Sequence, residues 1–366
     1  GRMKFAAAFK INFLLYFLLS GPLYSQLSLR SGFATLENFG SARLLALGSI
    51  SSAHPGDVSF SALNPACLNE SQIGEWSITS QASLGGLSQG SLTVGVPFPK
   101  KIFKIKPSEK RILNAQKGGI NLKPSDIFIS LGVDYINSGL LDQRNAAGEL
   151  LGSFTAREVM PRMALNAKYG QFSLGLGIKL PIISYGSFTA QAISTDYAFQ
   201  WSGDSTRKQI VVLLRNVGWN FEYFASQSER LPINLQISFS QKLKHAPFRY
   251  NITYSNIQRW DLKYLDPQLL VKDPLTGIVS YTNLPWYNNL FRHVTPSVEA
   301  QLGGRLYFQL GYDFRRQMEN RLTTRRVSAG VSTGITFKAG KNNFQYGSSL
   351  YNVAGRINQF SLIRKF

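Results

Sequence analysis

Apolar and small or polar residues alternate along this chain, in segment after segment. In Gln171–Leu180, the residues Phe172, Leu174, Leu176, Ile178 and Leu180 alternate with Ser173, Gly175, Gly177 and Lys179. Phe248, Tyr250, Ile252 and Tyr254 alternate in the same way with Arg249, Asn251, Thr253 and Ser255. A period of two places successive side chains on opposite faces of an extended strand. The same beat runs through 76–83, 91–98, 127–136, 159–169, 190–201, 208–216, 232–241, 294–302, 306–315, 327–338, 343–351 and 359–366. Together these segments predict fourteen antiparallel strands and an all-β chain.

Two architectures use such strands. A soluble sandwich buries the apolar face and wets the other. A transmembrane barrel turns the apolar face to lipid and the small or polar face to its lumen. Many of the segments run nine to eleven residues, the span of a tilted membrane strand. Phe98, Tyr135, Tyr169, Trp201, Tyr254 and Phe314 fall at or near segment ends, where an amphipathic ring suits the headgroup level. Phe366 closes the last alternating segment, as a terminal aromatic commonly does in outer-membrane barrels. The expectation is a 14-stranded antiparallel transmembrane barrel.

Connection lengths agree with that expectation. If the first strand starts on the periplasmic side, the inward connections include Gly170, Lys242–Pro247, Gly303-Gly304 and Ala339–Asn342. The outward ones include Asn137–Glu158, Val217–Leu231, Ile257–His293 and Gln317–Arg326, all longer. Short inner turns and long outer loops are the asymmetry of a bacterial barrel. One connection departs from it. The stretch 100–126 is assigned to the inside, yet between Lys100 and Lys123 it holds seven lysines and Arg111 against Glu109 alone.

The N-terminus reads as an export signal. Arg2, Lys4 and Lys10 precede the apolar run Ile11–Leu19, and Ser25 before Gln26 offers a cleavage point. No cysteine follows the run, which excludes an N-terminal lipid anchor. The domain plan is therefore a signal over 1–25, an N-terminal plug-like segment over 26–75, and a barrel over 76–366 with the basic insertion at 100–126.

Charge sharpens the assignment. The net charge is +20, although only 16% of residues are charged. Lipid-facing positions account for the scarcity of charge, and export to the envelope argues against a nucleic-acid partner. A single cysteine, Cys67, excludes an intrachain disulfide framework and a cysteine-built metal site. Of the three histidines, His54 opens the His54-Pro55-Gly56-Asp57 turn, His245 sits in an inner turn, and His293 reads as an interfacial residue beside Arg292. Gly85-Gly86…Gly90 lacks the strand-to-helix setting of a phosphate loop. No catalytic, cofactor or metal constellation stands out, and the expectation is a non-enzyme.

Several motifs carry a resemblance. Gly40-Ser41-Ala42-Arg43, Ala46-Leu47-Gly48 and Asn64-Pro65-Ala66 precede the first strand, an arrangement that resembles the FadL-like outer-membrane barrels. Tyr135–Gly139, Asn145…Gly148 and Gly152–Glu158 are similar to an external loop of the PorQ family. Leu231-Pro232, Lys242–Arg249 (KLKHAPFR) and Asn256 to Trp260-Asp261-Leu262 resemble that family as well. The resemblance implies a component of the type IX secretion system. Its implied task is to hold a PorZ-like surface protein, alongside PorU- and PorV-like subunits of the attachment complex. The FadL-like side implies an alternative, passive transport of hydrophobic small molecules. The basic insertion departs from the short turn expected there.

Candidate residues follow. Asn64, Pro65 and Ala66 read as a fixed turn that lets the N-terminal segment enter the barrel, or as part of a gate on a ligand path. Trp260, Tyr264, Trp286 and Tyr287 lie in one outer connection dense in aromatics, a cap over the mouth or a partner-binding surface. Arg321, Arg325 and Arg326 suit lipopolysaccharide phosphates at the outer rim, or a merely solvated loop. The Lys-rich insertion suits anionic inner-leaflet lipid or peptidoglycan. A blocked lumen lined by Asn234, Gln236 and Ser238 would favour a scaffold; an apolar lumen or a lateral opening would favour transport.

Overall fold

The computed structural model describes residues 33–37, 40–82, 88–98, 126–145, 147–203, 207–222, 231–262, 270–272, 279–281, 285–319, 329–352 and 355–366. Its main sheet has the strands β1 Glu75–Ala82, β2 Ser88–Pro97, β3 Ile127–Arg144, β4 Leu150–Tyr169, and β5 Phe172–Lys179 resuming at Ile182–Tyr185. They continue as β6 Phe188–Gly203, β7 Lys208–Glu222, β8 Asn234–Lys242, β9 Phe248–Tyr254 and β10 Val294–Leu302. The last four are β11 Leu306–Tyr312, β12 Val331–Ala339, β13 Asn342–Asn352 and β14 Gly355–Lys365. Each pairs antiparallel with its sequence neighbours, and β14 returns to β1 with Glu75 opposite Lys365 and Ala82 opposite Asn358. The sheet closes on itself, so no main-chain edge is left unpaired.

The alternation sorts the two faces as the period requires. On β1, Ser77 and Thr79 are buried while Ile78 is exposed; on β14, Ser361 is buried while Phe360 is exposed. Leu92, Leu131, Leu174, Ile252 and Leu310 extend the same apolar exterior around the barrel. Outward-facing Trp76, Phe172, Phe248, Phe308, Phe337 and Phe344 ring the inner end, with Phe366 6.4 Å from Trp76. That exterior is what lipid contact selects. Among the described residues no helix is long and apolar enough to cross a membrane.

All fourteen expected segments are strands, but two pairs run further than the periodicity indicated. β3 and β4 stay paired up to Arg144 opposite Leu150, so most of the expected outer loop Asn137–Glu158 is ladder. Alternation lapses there because both faces are wet: Leu140, Leu150 and Leu151 are all strongly exposed. A register shift between Asn137 and Leu140 marks the change of environment. Likewise β6 and β7 remain paired up to Gln191 opposite Glu222. β5 is interrupted at Pro181, which has no amide hydrogen to give its neighbour. Leu180 N donating to Pro161 O and Ala192 N donating to Pro181 O carry the pairing across the break. The expected signal and the basic insertion lie largely outside the described residues, although the flanks of the insertion, Pro97 and Phe128, pair at the inner end.

The described part of the N-terminal segment lies inside the barrel as short turns joined by caps. Helix α1, Ala42–Ala46, is capped by Ser41, and 3-10 turns follow at Val58–Ala62, Pro65–Cys67 and Glu70–Gln72. Asp57, Asn64 and Asn69 each accept a backbone N–H at the start of those turns. Small and polar side chains allow the backbone to turn this often in a confined space. Leu44, Leu47, Phe60 and Leu63 pack with Val211 and Leu213 of β7 as one apolar cluster.

Candidate functional site

The inner segment meets every strand. Thr79 of β1 donates to Gly40 O, and Gly74 N donates to Gly95 O of β2. Ser130 of β3 bonds Ser61, Asn166 of β4 donates to Leu68 O, and Asn64 donates to Gln200 of β6. Arg215 of β7 donates to Leu36 O, Ser52 donates to Ser238 of β8, and Asn251 of β9 donates to Ala53 O. Ser51 bonds Ser297 of β10, Gln345 of β13 donates to Asp57, and Ala42 N donates to Ser361 of β14. The other three strands meet it through glycines. Gly175 of β5, Gly311 of β11 and Gly334 of β12 face backbone or side-chain atoms of the segment so closely that a Cβ would fall within 3 Å of them. Gly347 of β13 and Gly95 of β2 are tighter still: each Cβ would come 2.1 Å from a carbonyl oxygen of the segment, that of Ala42 and that of Gln72.

Three buried ion pairs and the buried carboxyl of Glu158 line the lumen around this arrangement. Arg43 of α1 grips Glu299 of β10 with two bonds of 2.7 and 2.8 Å, and Gln309 donates to the same carboxylate at 3.0 Å. His54 Nε2 lies 3.6 Å from Glu299 Oε1. Burial holds the His54 imidazole down at about 3, so the ring is neutral at physiological pH. Asp134 pairs with Arg162 at 2.8 Å beneath Ser91. Lys179 pairs with Asp196, whose other oxygen accepts from Asn216 N at the bulge in β7. Glu158 accepts from Ala34 N and Thr35 N, both at 2.9 Å. Ions this far from water persist only when paired and hydrogen-bonded on several sides.

Near the outer end the lining becomes apolar. Phe33 and Leu36 of the segment pack with Met160, Ile183, Ala190, Ala192 and Leu231. This cluster adjoins the break in β5, because Ile183, two residues beyond Pro181, pairs with Ala190 of β6.

Asn64, Pro65 and Ala66 are buried in the lumen. Asn64 Oδ1 accepts from Ala66 N at 2.9 Å, while Nδ2 donates to Ser52 O and to Gln200, each at 3.0 Å. Pro65 opens the 3-10 turn, and the Pro65–Ala66 backbone rests against Gly175. Cys67 is buried, and burial pushes its thiol up well above the usual range.

The outer connection between β9 and β10 builds an aromatic platform. His293, expected at an interface, is instead fully buried between Tyr254 (5.0 Å) and Trp260 (5.7 Å). Its Nδ1 lies 2.7 Å from Ser255 O and its Nε2 2.9 Å from Trp260 O. A ring N–H donated to a main-chain carbonyl, together with stacking on both faces, explains the position. Buried Asn289, on helix α2 (Trp286–Arg292), donates to Trp260 O and accepts from Leu262 N. Trp260, Trp286 and Tyr287 are thereby held on one frame with their rings exposed. Phe291 leans on Phe314 of helix α3 (Phe314–Glu319), tying the platform to the next outer connection. Tyr264, Arg321, Arg325 and Arg326 lie outside the described residues. The nearby Arg315 and Arg316 pair with Glu319 and Asp313.

The inward glycines, which in the sequence stand out only as small residues, are what admit the segment. Their recurrence on one face of successive strands was the available signal. Among the described residues no group of three His, Cys, Asp or Glu side chains is placed to hold a metal ion.

No protein-family model matches the chain, and no curated protein does. Among solved structures it is similar to a Pseudomonas aeruginosa FadL homologue, with a TM-score of 0.47 and 11% identity over 92% of this chain and 100% of that one. The CymD monoaromatic hydrocarbon channel gives a TM-score of 0.48 and 11% identity over 92% and 99%. The Pseudomonas putida toluene transporter TodX gives 0.46 and 10% over 90% and 97%. These likenesses add nothing to an architecture that strand pairing establishes by itself. The chain is a closed fourteen-stranded antiparallel β-barrel with a lipid-type apolar exterior and an interior occupied by its own N-terminal segment.

Proposed function

We propose that the protein is a non-catalytic barrel of the outer membrane that anchors a surface partner, as a PorQ-like subunit of a type IX secretion attachment complex. The observation that carries this reading is the lumen. A segment bonded to or wedged against all fourteen strands makes the barrel a rigid pedestal, and the polar lining at Gln236 and Ser238 is consumed by Ser52 and Ile50. What the barrel offers is then its outer face, where Trp260, Trp286 and Tyr287 present exposed rings on a fixed frame. Rigid aromatics on a preorganised surface are the usual anchors of protein recognition. The residues that carry the PorQ resemblance bear on both parts: Arg249 of the KLKHAPFR stretch donates to Ser240 inside the barrel, and Trp260-Asp261-Leu262 builds the platform. On this reading the partners are a PorZ-like surface protein and PorU- and PorV-like subunits, with lipopolysaccharide surrounding the outer rim.

A second reading is passive passage of a hydrophobic small molecule. The apolar cluster around Phe33 and Leu36, beside the break in β5, favours it. The names of the hydrocarbon channel and the toluene transporter also point that way rather than to an anchor. Affinity recovery from detergent-solubilised outer membrane separates the readings. The anchor predicts co-recovery of a surface protein, sharply reduced by Trp260→Ala with Trp286→Ala while the barrel stays heat-modifiable on a gel. Recovery of the barrel alone, with uptake of a monoaromatic hydrocarbon into liposomes, would favour the channel.

A further inference from the structure

The described inner rim of the barrel repeats one unit. At each short inner connection, outward-facing aromatic rings end the strands and a basic side chain follows in or beside the turn. Phe248 is followed at the β8–β9 turn by Lys244, Phe308 at the β10–β11 turn by Arg305, and Phe337 and Phe344 flank Lys341. Trp201 and Arg207 repeat the unit between β6 and β7, and Tyr169 and Phe172 stand beside Lys168 between β4 and β5. Where β14 meets β1, Trp76 and Phe366 stand beside Arg364 and Lys365.

The four turn residues Arg207, Lys244, Arg305 and Lys341 are exposed, and among the described residues none of them is in an ion pair. The outer end differs. There, among the described residues, Arg144 pairs with Asp142, Arg315 with Glu319 and Arg316 with Asp313, so these cations are each offset by an acid. The acids described at the inner end are Glu70, Glu75 and Asp126, and Glu75 is turned to Val58 N.

We infer that this rim is a basic collar that binds the anionic phospholipid headgroups of the inner leaflet. The aromatic ring fixes the level of the membrane interface, and the cations sit one turn beyond it, where headgroups lie. The unit recurs around the perimeter rather than in one sector, as an annulus of lipid requires and a single docked protein does not. An unpaired cation near an anionic surface favours binding several-fold, and the effect falls off over a Debye length.

The test uses the full chain, purified in detergent and offered equal amounts of phosphatidylglycerol and phosphatidylethanolamine, with bound lipid counted by native mass spectrometry. The four turn positions are suited to substitution because Arg207, Arg305 and Lys341 are tied to their neighbours through backbone carbonyls, which side-chain changes leave intact. The collar predicts at least about fivefold preference for phosphatidylglycerol. The combined variant Arg207→Gln, Lys244→Gln, Arg305→Gln, Lys341→Gln should bring the ratio close to one while heat-modifiability is kept. Arg315→Gln with Arg316→Gln, at the other end, should leave the preference in place. Equal binding of both lipids by the parent protein, or a preference that survives the fourfold variant, would overturn the proposal. Co-sedimentation with murein sacculi that the fourfold variant loses, without any lipid preference, would overturn it in favour of peptidoglycan.

Discussion

Arg43 and Glu299, 256 residues apart in sequence, meet inside the barrel as a two-bond ion pair of 2.7 and 2.8 Å. One partner belongs to the inner segment and the other to β10, so the pair joins two parts of the fold that no local signal connects. Its geometry is closed further by Gln309 and by the neutral ring of His54.

Removing one partner leaves the other charged and buried. Arg43→Ala should lower stability by about 3–5 kcal/mol, and Glu299→Ala by a similar amount. Replacing both by methionine should cost much less, because no charge is then stranded. The shift of the heat-modification midpoint in detergent reads the difference, and a double variant as unstable as the singles would refute the pairing argument.

His54 gives the fold a pH dependence whose sign is fixed by its burial. Its folded-state value, about 3, lies below the ordinary 6.5, so the unfolded chain takes up the proton first. The resulting stability is fully present above about pH 6.5 and is lost progressively as pH falls toward 3. His54→Gln should remove this part of the slope between pH 6.5 and 4, seen by comparing midpoints of the two proteins at several pH values. Identical slopes would mean the ring is not buried in its neutral form.

Inward glycines make a steric prediction. Gly347→Ala sets a methyl 2.1 Å from the Ala42 carbonyl, and Gly175→Ala sets one 2.3 Å from Ala66 N. Both should loosen the segment and raise its protease sensitivity, leaving the strands paired. Gly90→Ala is the control, since its nearest neighbour, Thr79 O, is 3.9 Å away. Equal protection in all three variants would show that the segment does not rest against those strands.

The strands were legible because lipid outside and polar contacts inside impose a period of two on nearly every crossing residue. Where that sorting stops, legibility stops too: Leu140, Leu150 and Leu151 extend β3 and β4 above the membrane with both faces in water, and nothing in their pattern announces a ladder. The lumen was legible only in kind. Gln236 and Ser238 read as lining, but their partners Ile50 and Ser52 stand more than 180 residues away and are fixed by closure of the barrel. His293 was misplaced for a related reason, because Trp260, which stacks on its ring and sets a carbonyl against it, comes from a connection with no periodicity.

On the proposed reading the inner segment stays in place while the protein acts. Ser51 and Ser297 bring their hydroxyls within 2.9 Å, and Cys67 is the only native cysteine. In a Cys67→Ala background, Ser51→Cys with Ser297→Cys should form a disulfide in the membrane that locks the segment to β10. The locked barrel is expected to recover its surface partner as fully as the reduced one. Failure to cross-link, or loss of the partner on locking, would contradict that reading.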